Sequence, residues 1–578
     1  MGLRICLVTP FAWSQPHDVN EHVAGVAEEL RRIGHEVTVL APSTRASDLR
    51  TGRRALQRGD GTGGVLAIAP ALPISRRSRM GVPVGVRANL ALALAVSRYD
   101  VVHGFEPGLP SLSYLALRDA QALAVATFFS PERLGYPPGR TQRDRLLSRV
   151  DALLATSEET AAAARERFAG DYRIVSEGVD LDRFRPGPKR PRIVLEWRAT
   201  ALPLARAMLR TLEELVGWEL VVMRTKPLSG RPYLPRAVRD RVVVRTARDG
   251  ATRAGVLREA SIFVPAPGGL RRVLLEAQAA GAAVAAPPGA VGQPELAAAA
   301  AARLAEHDAL RERRAAEAQA QAAGQGFEQV AADLDGLYRE LAGRRRRPRS
   351  RQDPLAGRPW ILADLHTHTR WSHDCSVAVD DLLDQAELDG LGAVAITDHN
   401  VFGGALEAVG LAHDRDLVVI PGEEVKTAGQ GEVIGLFLSS EIPRGMAFAD
   451  TVAAIRAQGG IVYVPHPFDR LHAIPDAPTL HRHLADVDVF EVYNARLLFE
   501  GFNDEALRFA RKYNLTPGAG SDAHVLQGLG TGALRMRAFE GPEDFLVSLR
   551  TAQVLRRPRS LVYLQGLKWV AQAKERVR

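Results

Sequence analysis

Cysteine is nearly absent: 578 residues contain only Cys6 and Cys375. The two fall in different predicted domains, so no disulfide is expected and a reducing compartment fits. Long apolar runs are missing too. No stretch approaches the roughly 20 apolar residues of a membrane span. The opening MGLRICLVTPFAW has too short an apolar stretch for a signal peptide, and Gly2 lacks the Ser or Thr that myristoylation wants. The expectation is a soluble, cytoplasmic protein. Disorder is not expected either. Apolar residues make up 46% and charged residues 25%, ordinary values for chains that bury cores. At roughly 100–200 residues per domain, the length suggests about three to five domains.

Acidic residues are the scarcer charge, 67 against 75 Lys and Arg, for a formal charge of +8. Arg344, Arg345, Arg346, Arg347, Arg349 and Arg351 supply six of those eight charges in one run, leaving +2 for the rest. The excess is local and makes no strong case for nucleic acid. The run reads as a solvated interdomain linker, with contact to nucleic acid or anionic lipid as the alternative. The basic, amphipathic stretch Leu561–Arg578, with Trp569 beside Lys568, is the other place for a membrane-surface contact. Packing on the preceding domain is its competing role.

What is present is βα alternation. Leu3–Thr9 is a short apolar run of the kind buried in parallel sheets. A loop and a helix over His22–Ile33 follow, closed by Gly34, and then the strand Glu36–Ala41. This is the opening of a doubly wound sheet. Val101–His103, Ala124–Phe128 and Leu153–Thr156 continue it. A second set holds strands at Ile193–Trp197, Glu219–Met223, Arg241–Arg245 and Ser261–Pro265, and a helix at Arg272–Ala280. An Ala/Glu/Arg-rich helical stretch runs from about Glu295 to Ala342. A third alternation starts at Ile361: ILADLHTH, AVAITDH, LVVIPGEE, IVYVPHP, VFEVYN and TPGAGSD.

The strands of this third set end on polar, metal-capable residues. His366 and His368, two apart, share one face of a strand. Asp398 and His399, Glu423 and Glu424, His466, and Asp522 with His524 close or follow others. In a parallel barrel all strand C-termini gather at one mouth, so these residues would converge. Imidazole with carboxylate suits Zn, Mn or Fe. A carboxylate bridging close metals suits hydrolysis of phosphate esters.

The runs DLHTHTRWSHD, AITDHN, PGEE, VPHP and GSDAH, in that order, resemble the PHP (polymerase and histidinol phosphatase) domain. The resemblance covers Ile361 to about Pro558. It implies a distorted (β/α)7 barrel with two or three divalent metals. It makes His366, His368, Glu424 and Asp522 the catalytic first site, with Glu424 bridging. His399, His466 and His524 would be further ligands. The family usually places an Asp or His just after the first motif, where this chain has His373, with Asp374 as the alternative. Many members have a His soon after the bridging Glu. Here GEVIGLF puts Glu432 there, a carboxylate that either ligates or leaves one site weak. Arg370, Arg470 and Arg496 are the cations placed to bind a phosphate, since guanidinium forks suit phosphoryl oxygens.

The N-terminal two-thirds resembles the GT-B retaining glycosyltransferases. The segments VTPFAW, VNEHVAGVAEELRRIGHEVTVLAP, YDVVHGFEP, LLATSEETAAAARERF, EGVDLDRFRP and LLEAQAAGAAVAA carry it, over roughly Met1 to Ala342. The resemblance implies two Rossmann-like domains with a donor site between them. That site is altered at most positions. His17 and Asp18 replace paired glycines that admit a diphosphate. Phe105 and Phe129 replace polar residues beside the sugar. Arg198 is retained without its Lys partner. Of two donor-holding glutamates Glu276 remains, and Gly268 replaces the other.

The expected division is residues 1–187 and 188–342 for the Rossmann-like pair, 343–359 for the linker, and 360–578 for the barrel. The expected function is metal-dependent hydrolysis of a small phosphorylated substrate, fused to a glycosyltransferase-like module that has lost its donor site. That module would bind a nucleotide sugar or a protein. The alternatives are a bifunctional enzyme with an active transferase and a non-catalytic scaffold.

Overall fold

The computed structural model describes residues 2–58, 64–75, 78–81, 86–96, 98–225, 232–268, 271–285, 293–346, 353–557, 560 and 563–568. They form two compact units, Met1–Leu341 and Ala342–Arg578. Cys6 and Cys375, one in each unit, are free and buried. Among the described residues no helix is long and apolar enough to cross a membrane.

The first unit holds two sheets. Strands β1 (Arg4–Val8), β2 (Glu36–Ser43), β3 (Val65–Ser75), β4 (Ser78–Gly81), β5 (Val101–Phe105), β6 (Leu123–Phe128), β7 (Ala152–Ala155) and β8 (Tyr172–Ile174) lie in the order β4-β3-β2-β1-β5-β6-β7-β8. Every pair is parallel except β3 with β4. β5 and β6 are buried along their whole length, which is why both read as continuous apolar runs. Strands β9 (Arg190–Trp197), β10 (Glu219–Arg224), β11 (Val242–Thr246), β12 (Ala260–Val264) and β13 (Ala283–Val284) form the second sheet, in the order β11-β10-β9-β12-β13 and all parallel. Strand order reverses beside β1 in one sheet and beside β9 in the other. Ligands of open α/β sheets bind outside the strand C-termini at such points. These are the two Rossmann-like sheets of a GT-B arrangement.

One expectation for this unit needs correction. The first helix is Asp18–Arg32, not His22–Ile33. His17 caps it, its Nδ1 accepting from the Val19 N–H, and Asp18 stands in the first turn, where the helix dipole favours an acid. The helical stretch expected from about Glu295 to Ala342 is present, as three helices, Pro294–Glu306, Asp308–Ala323 and Phe327–Gly343. The last of these returns to the first sheet: Tyr338 meets His103 Nδ1 at 2.6 Å and Asp335 meets His35 at 2.8 Å.

The second unit is a distorted (β/α)7 barrel with two added strands. Its strands are β14 (Trp360–Thr367), β15 (Ala393–Ile396), β16 (Val418–Lys426), β17 (Glu432–Leu436), β18 (Ile461–Val464), β19 (Val489–Asn494), β20 (Thr516–Gly520), β21 (Gly532–Arg537) and β22 (Gln553–Arg556). The sheet order is β20-β19-β18-β17-β16-β15-β14-β21-β22. β14 to β20 curl until their ends meet: the Asp522 N–H donates to the His366 carbonyl (2.8 Å) and the His368 N–H to the Ala523 carbonyl (3.1 Å). Gly520 is required at this closure, because a Cβ there would stand 2.3 Å from the His366 Cβ. The barrel is not wholly parallel as expected. β17 runs antiparallel to both β16 and β18, and β21 and β22 pair antiparallel beyond β14.

The arginine run also differs from a free linker. Arg345 donates to the Lys512 carbonyl (2.9 Å), and Arg346 donates to those of Leu484 (3.1 Å) and Ala485 (2.9 Å). These residues belong to the second unit. Arg347, Arg349 and Arg351, and Trp569 at the other end, lie outside the described residues.

Candidate functional site

Closure of the barrel brings the strand ends together. His366 and His368 are fully buried and His466, Glu424, Asp522 and His524 nearly so. Three overlapping groups, His366–His368–Asp522, His366–Glu424–His466 and His368–His399–His524, each place their nitrogen and oxygen atoms within 4.8 Å of one another. Glu424 connects them. Its Oε2 lies 3.4 Å from His366 Nε2, 3.5 Å from His368 Nε2 and 3.0 Å from His399 Nδ1, and its Oε1 lies 3.1 Å from His466 Nε2. Asp522 Oδ1 is 3.4 Å from His368 Nε2.

The donor set fits divalent cations. His368 Nε2 is buried and makes no hydrogen bond, although two carboxylates face it at 3.4 and 3.5 Å. That is the posture of a ligand nitrogen aimed at a site between them. Burial alone would lower the pKa of His366, yet Glu424, Glu491 and Asp522 hold it well above the ordinary value. Burial opposes His466 in the same way, and its hydrogen bond to Glu424 brings it up to about 9. Burial would raise Glu424, but His366 and His399 hold it well below the carboxylate range. Cations held there would compete with protons for the same nitrogens.

A second layer fixes these side chains. Glu491 Oε1 meets His366 Nδ1 at 3.1 Å and accepts from the Tyr463 hydroxyl at 2.8 Å, and its Oε2 accepts from the His466 N–H at 2.6 Å. Such a carboxylate sets the tautomer and tilt of a ligand imidazole. Ser372 joins His368 Nδ1 (3.1 Å) to Asp398 (2.6 Å), so Asp398 supports the cluster instead of entering it. His466 (φ 24°) and Asp522 (φ 52°) sit in the left-handed region, which costs non-glycine residues energy and recurs at functional sites.

Other expected positions divide. Of the pair His373 and Asp374, the carboxylate faces the cluster: Asp374 Oδ2 is 3.0 Å from His524 Nε2, whereas His373 is exposed, its ring 5.4 Å from that of His399. Glu432 Oε2 stands 3.9 Å from His466 Nε2, and burial beside Glu424 pushes its pKa to about 7. Arg496 reaches Asp522 Oδ1 at 3.1 Å. Arg370 instead pairs with Glu407 at 2.7 Å on the exposed surface, and Arg470 is exposed. Beside Asp522 and His524 lies a cavity of about 380 Å³, lined also by Arg496, Leu498, Leu564 and Lys568. Glu491 and the cavity wall at Leu564 went unnoticed in the sequence.

In the first unit the positions expected at a donor site are taken up by packing and ion pairs. Phe105 ends β5 at the switch point and stacks on His103 at 4.3 Å. Phe105, Phe129 and Phe327 surround His22, with ring centroids at 5.8, 5.0 and 6.0 Å. A Cβ on Gly178 would stand 2.2 Å from the Phe327 ring, which shows how closely that ring fills its place. His17 stacks on Phe11 (3.5 Å), and Asp18 faces Arg133 at 3.6 Å. Burial raises the pKa of Glu106, against Arg133 at 3.2 Å, to about 8. Glu276 is fully buried and held by Arg253 (2.5 and 2.6 Å) and Arg272 (3.1 Å). Both arginines also reach Glu21, at 2.5 and 3.3 Å, tying the second sheet's helices to the first sheet's. Arg198 bonds Glu196 at 3.1 Å, and Gly268 adopts φ +64°.

A barrel with this cluster, preceded by two Rossmann-like sheets, defines the class. The chain belongs to the PHP-domain proteins: residues 364–473 match the PHP domain and residues 500–554 the PHP-associated region, while residues 19–183 match Glycosyltransferase Family 4. It is similar to an uncharacterized protein of Methanocaldococcus jannaschii, 32% identical over 215 residues, which covers 35% of this chain and 85% of that protein. It is also similar to the phosphatidyl-myo-inositol mannosyltransferase of Mycobacterium tuberculosis, 28% identical over 388 residues, 59% of this chain and 98% of the relative. Sucrose-phosphate synthase from Thermosynechococcus elongatus is similar over 59% of this chain and 99% of its own, at 16% identity and a TM-score of 0.42.

Proposed function

We propose that the second unit hydrolyses a phosphate ester with two or three divalent cations, Mn, Zn or Fe. The observation that carries this reading is Glu424, whose two oxygens face four imidazoles at 3.0–3.5 Å. Cations held there would supply Lewis acidity toward the phosphoryl group and a nucleophile at neutral pH. His366, His368, Glu424 and Asp522 form the inner site, and His399, His466, His524 and Asp374 extend it. Glu491 orients His366. Arg496, beside Asp522, donates to phosphoryl oxygens and stabilises their growing charge. The reaction consumes one water and yields inorganic phosphate and the freed alcohol. Its test is phosphate release from phosphomonoesters by the full-length protein, before and after chelation.

We infer that the first unit does not transfer sugar. Donor transfer needs groups free to hold a diphosphate and the sugar hydroxyls. Here Glu276 is saturated by two guanidiniums, Phe105 and Phe129 offer no hydrogen bond, and Asp18 would repel a diphosphate. Calorimetry of the full-length protein against UDP- and GDP-sugars is expected to show no binding tighter than about 1 mM, and no donor hydrolysis. Micromolar binding with turnover would establish the bifunctional alternative.

A further inference from the structure

We propose that the helical residues 563–568 are a wall of the substrate pocket, where Lys568 and Arg496 grip the phosphoryl group while Leu498 and Leu564 receive an uncharged, largely apolar leaving group. The proposal rests on the phosphoesterase reading and names its substrate class: aryl or alkyl phosphomonoesters.

The placement of two cations carries it. Lys568 Nζ lies 2.8 Å from Asp374 Oδ2, and its side chain is only 11% exposed. A lysine so covered is seldom an ordinary surface residue, because its ammonium must be held by a partner to leave water. Its partner is the same carboxylate oxygen that stands 3.0 Å from His524 Nε2 and 3.8 Å from an Arg496 nitrogen. Arg496 reaches Asp522 Oδ1 at 3.1 Å. Two cations thus converge on the two carboxylates at the edge of the cluster, and both line the cavity. An entering phosphoryl group meets a guanidinium with fixed donors and an ammonium on a flexible stem, a pairing suited to an oxyanion.

The remainder of the wall sets the leaving group. Leu498, Ala523, Val525 and Leu564 are its apolar members, with Ser521, His524 and Gln565 as uncharged polar ones. Among the described residues Asp522 is the only carboxylate in the lining, and it is already paired. At about 380 Å³ the cavity is at the small end of ligand pockets. It accommodates a group of aryl size, and apart from the two cations and Asp522 the described lining offers a sugar's several hydroxyls three polar side chains, Ser521, His524 and Gln565. Unsatisfied hydroxyls there cost affinity.

The test uses the full-length, metal-loaded protein with phenyl phosphate and a hexose phosphate. Phenyl phosphate is expected to show a kcat/KM at least about 10-fold higher. Lys568→Ala should raise KM about 10- to 100-fold with metal content unchanged, and Lys568→Arg should recover most of that loss. Leu564→Asp should lower kcat/KM for phenyl phosphate about 10-fold, again with metal retained. A Lys568→Ala protein with wild-type KM, or one that loses metal in step with activity, overturns the proposal, the latter by reducing Lys568 to a prop for Asp374. If the unaltered protein releases phosphate from neither ester while metal-loaded, the phosphoesterase reading itself fails.

Discussion

Glu424→Gln is expected to lower phosphate release by at least about 10³-fold and to empty the cluster of metal, with the barrel still folded. Gln keeps the shape and one carbonyl oxygen. It loses the negative charge that four imidazoles share, and it turns an N–H group toward nitrogens whose lone pairs a cation needs. Glu424 is 1% exposed, so water cannot substitute for the missing charge. The fold should survive, because the barrel closes through backbone bonds between His366 and Asp522 and between His368 and Ala523. Elemental content and thermal unfolding, measured on one preparation, separate the two effects. Normal metal content with full turnover in Glu424→Gln would remove Glu424 from the site.

Glu276→Ala is expected to cost the first unit about 3–5 kcal/mol, the usual result of removing one partner from a buried ion-pair network. The side chains of Glu276, Arg253 and Arg272 are 0, 6 and 3% exposed, so solvent hardly screens the loss. Two guanidiniums would be left to share the carboxylate of Glu21, itself 19% exposed, beside the carbonyls of Arg248 and Asp18 that they already bond. Urea unfolding followed in the first unit measures the change. A loss under about 1 kcal/mol would show that Glu21 and the two carbonyls satisfy both arginines, and that Glu276 remains available to a ligand. The predicted size of the effect restates the functional inference: a carboxylate committed to this network cannot also hold a donor sugar.

What the sequence made legible was set by local pattern. Short apolar runs ending on His, Asp or Glu located five of the strand ends that meet in the barrel, because a buried strand and its polar terminus are adjacent in the chain. Direction is not written locally. GEVIGL reads the same for a parallel or an antiparallel strand, and only the pairing of β17 with β16 and β18 shows which it is. β3 carries no clear strand signal because Pro70 and Pro73 interrupt its run, as proline does near sheet edges. The first helix began earlier than expected because histidine is an uncommon cap and His17 gave no start signal. Glu491 was one acid among 67 acidic residues. Its role exists only because β19 lies beside β18 and reaches His366. Lys568 and Asp374 are 194 positions apart, a pairing that no local pattern announces.

The most direct measurement is phosphate release by the full-length protein, stripped of metal by a chelator and then reloaded with Mn, Zn or Fe while bound metal is counted. The account predicts release that falls to background on stripping and returns as two or three equivalents bind. Release that persists in metal-free protein, or its absence in fully loaded protein across aryl, alkyl and sugar phosphates, would contradict it.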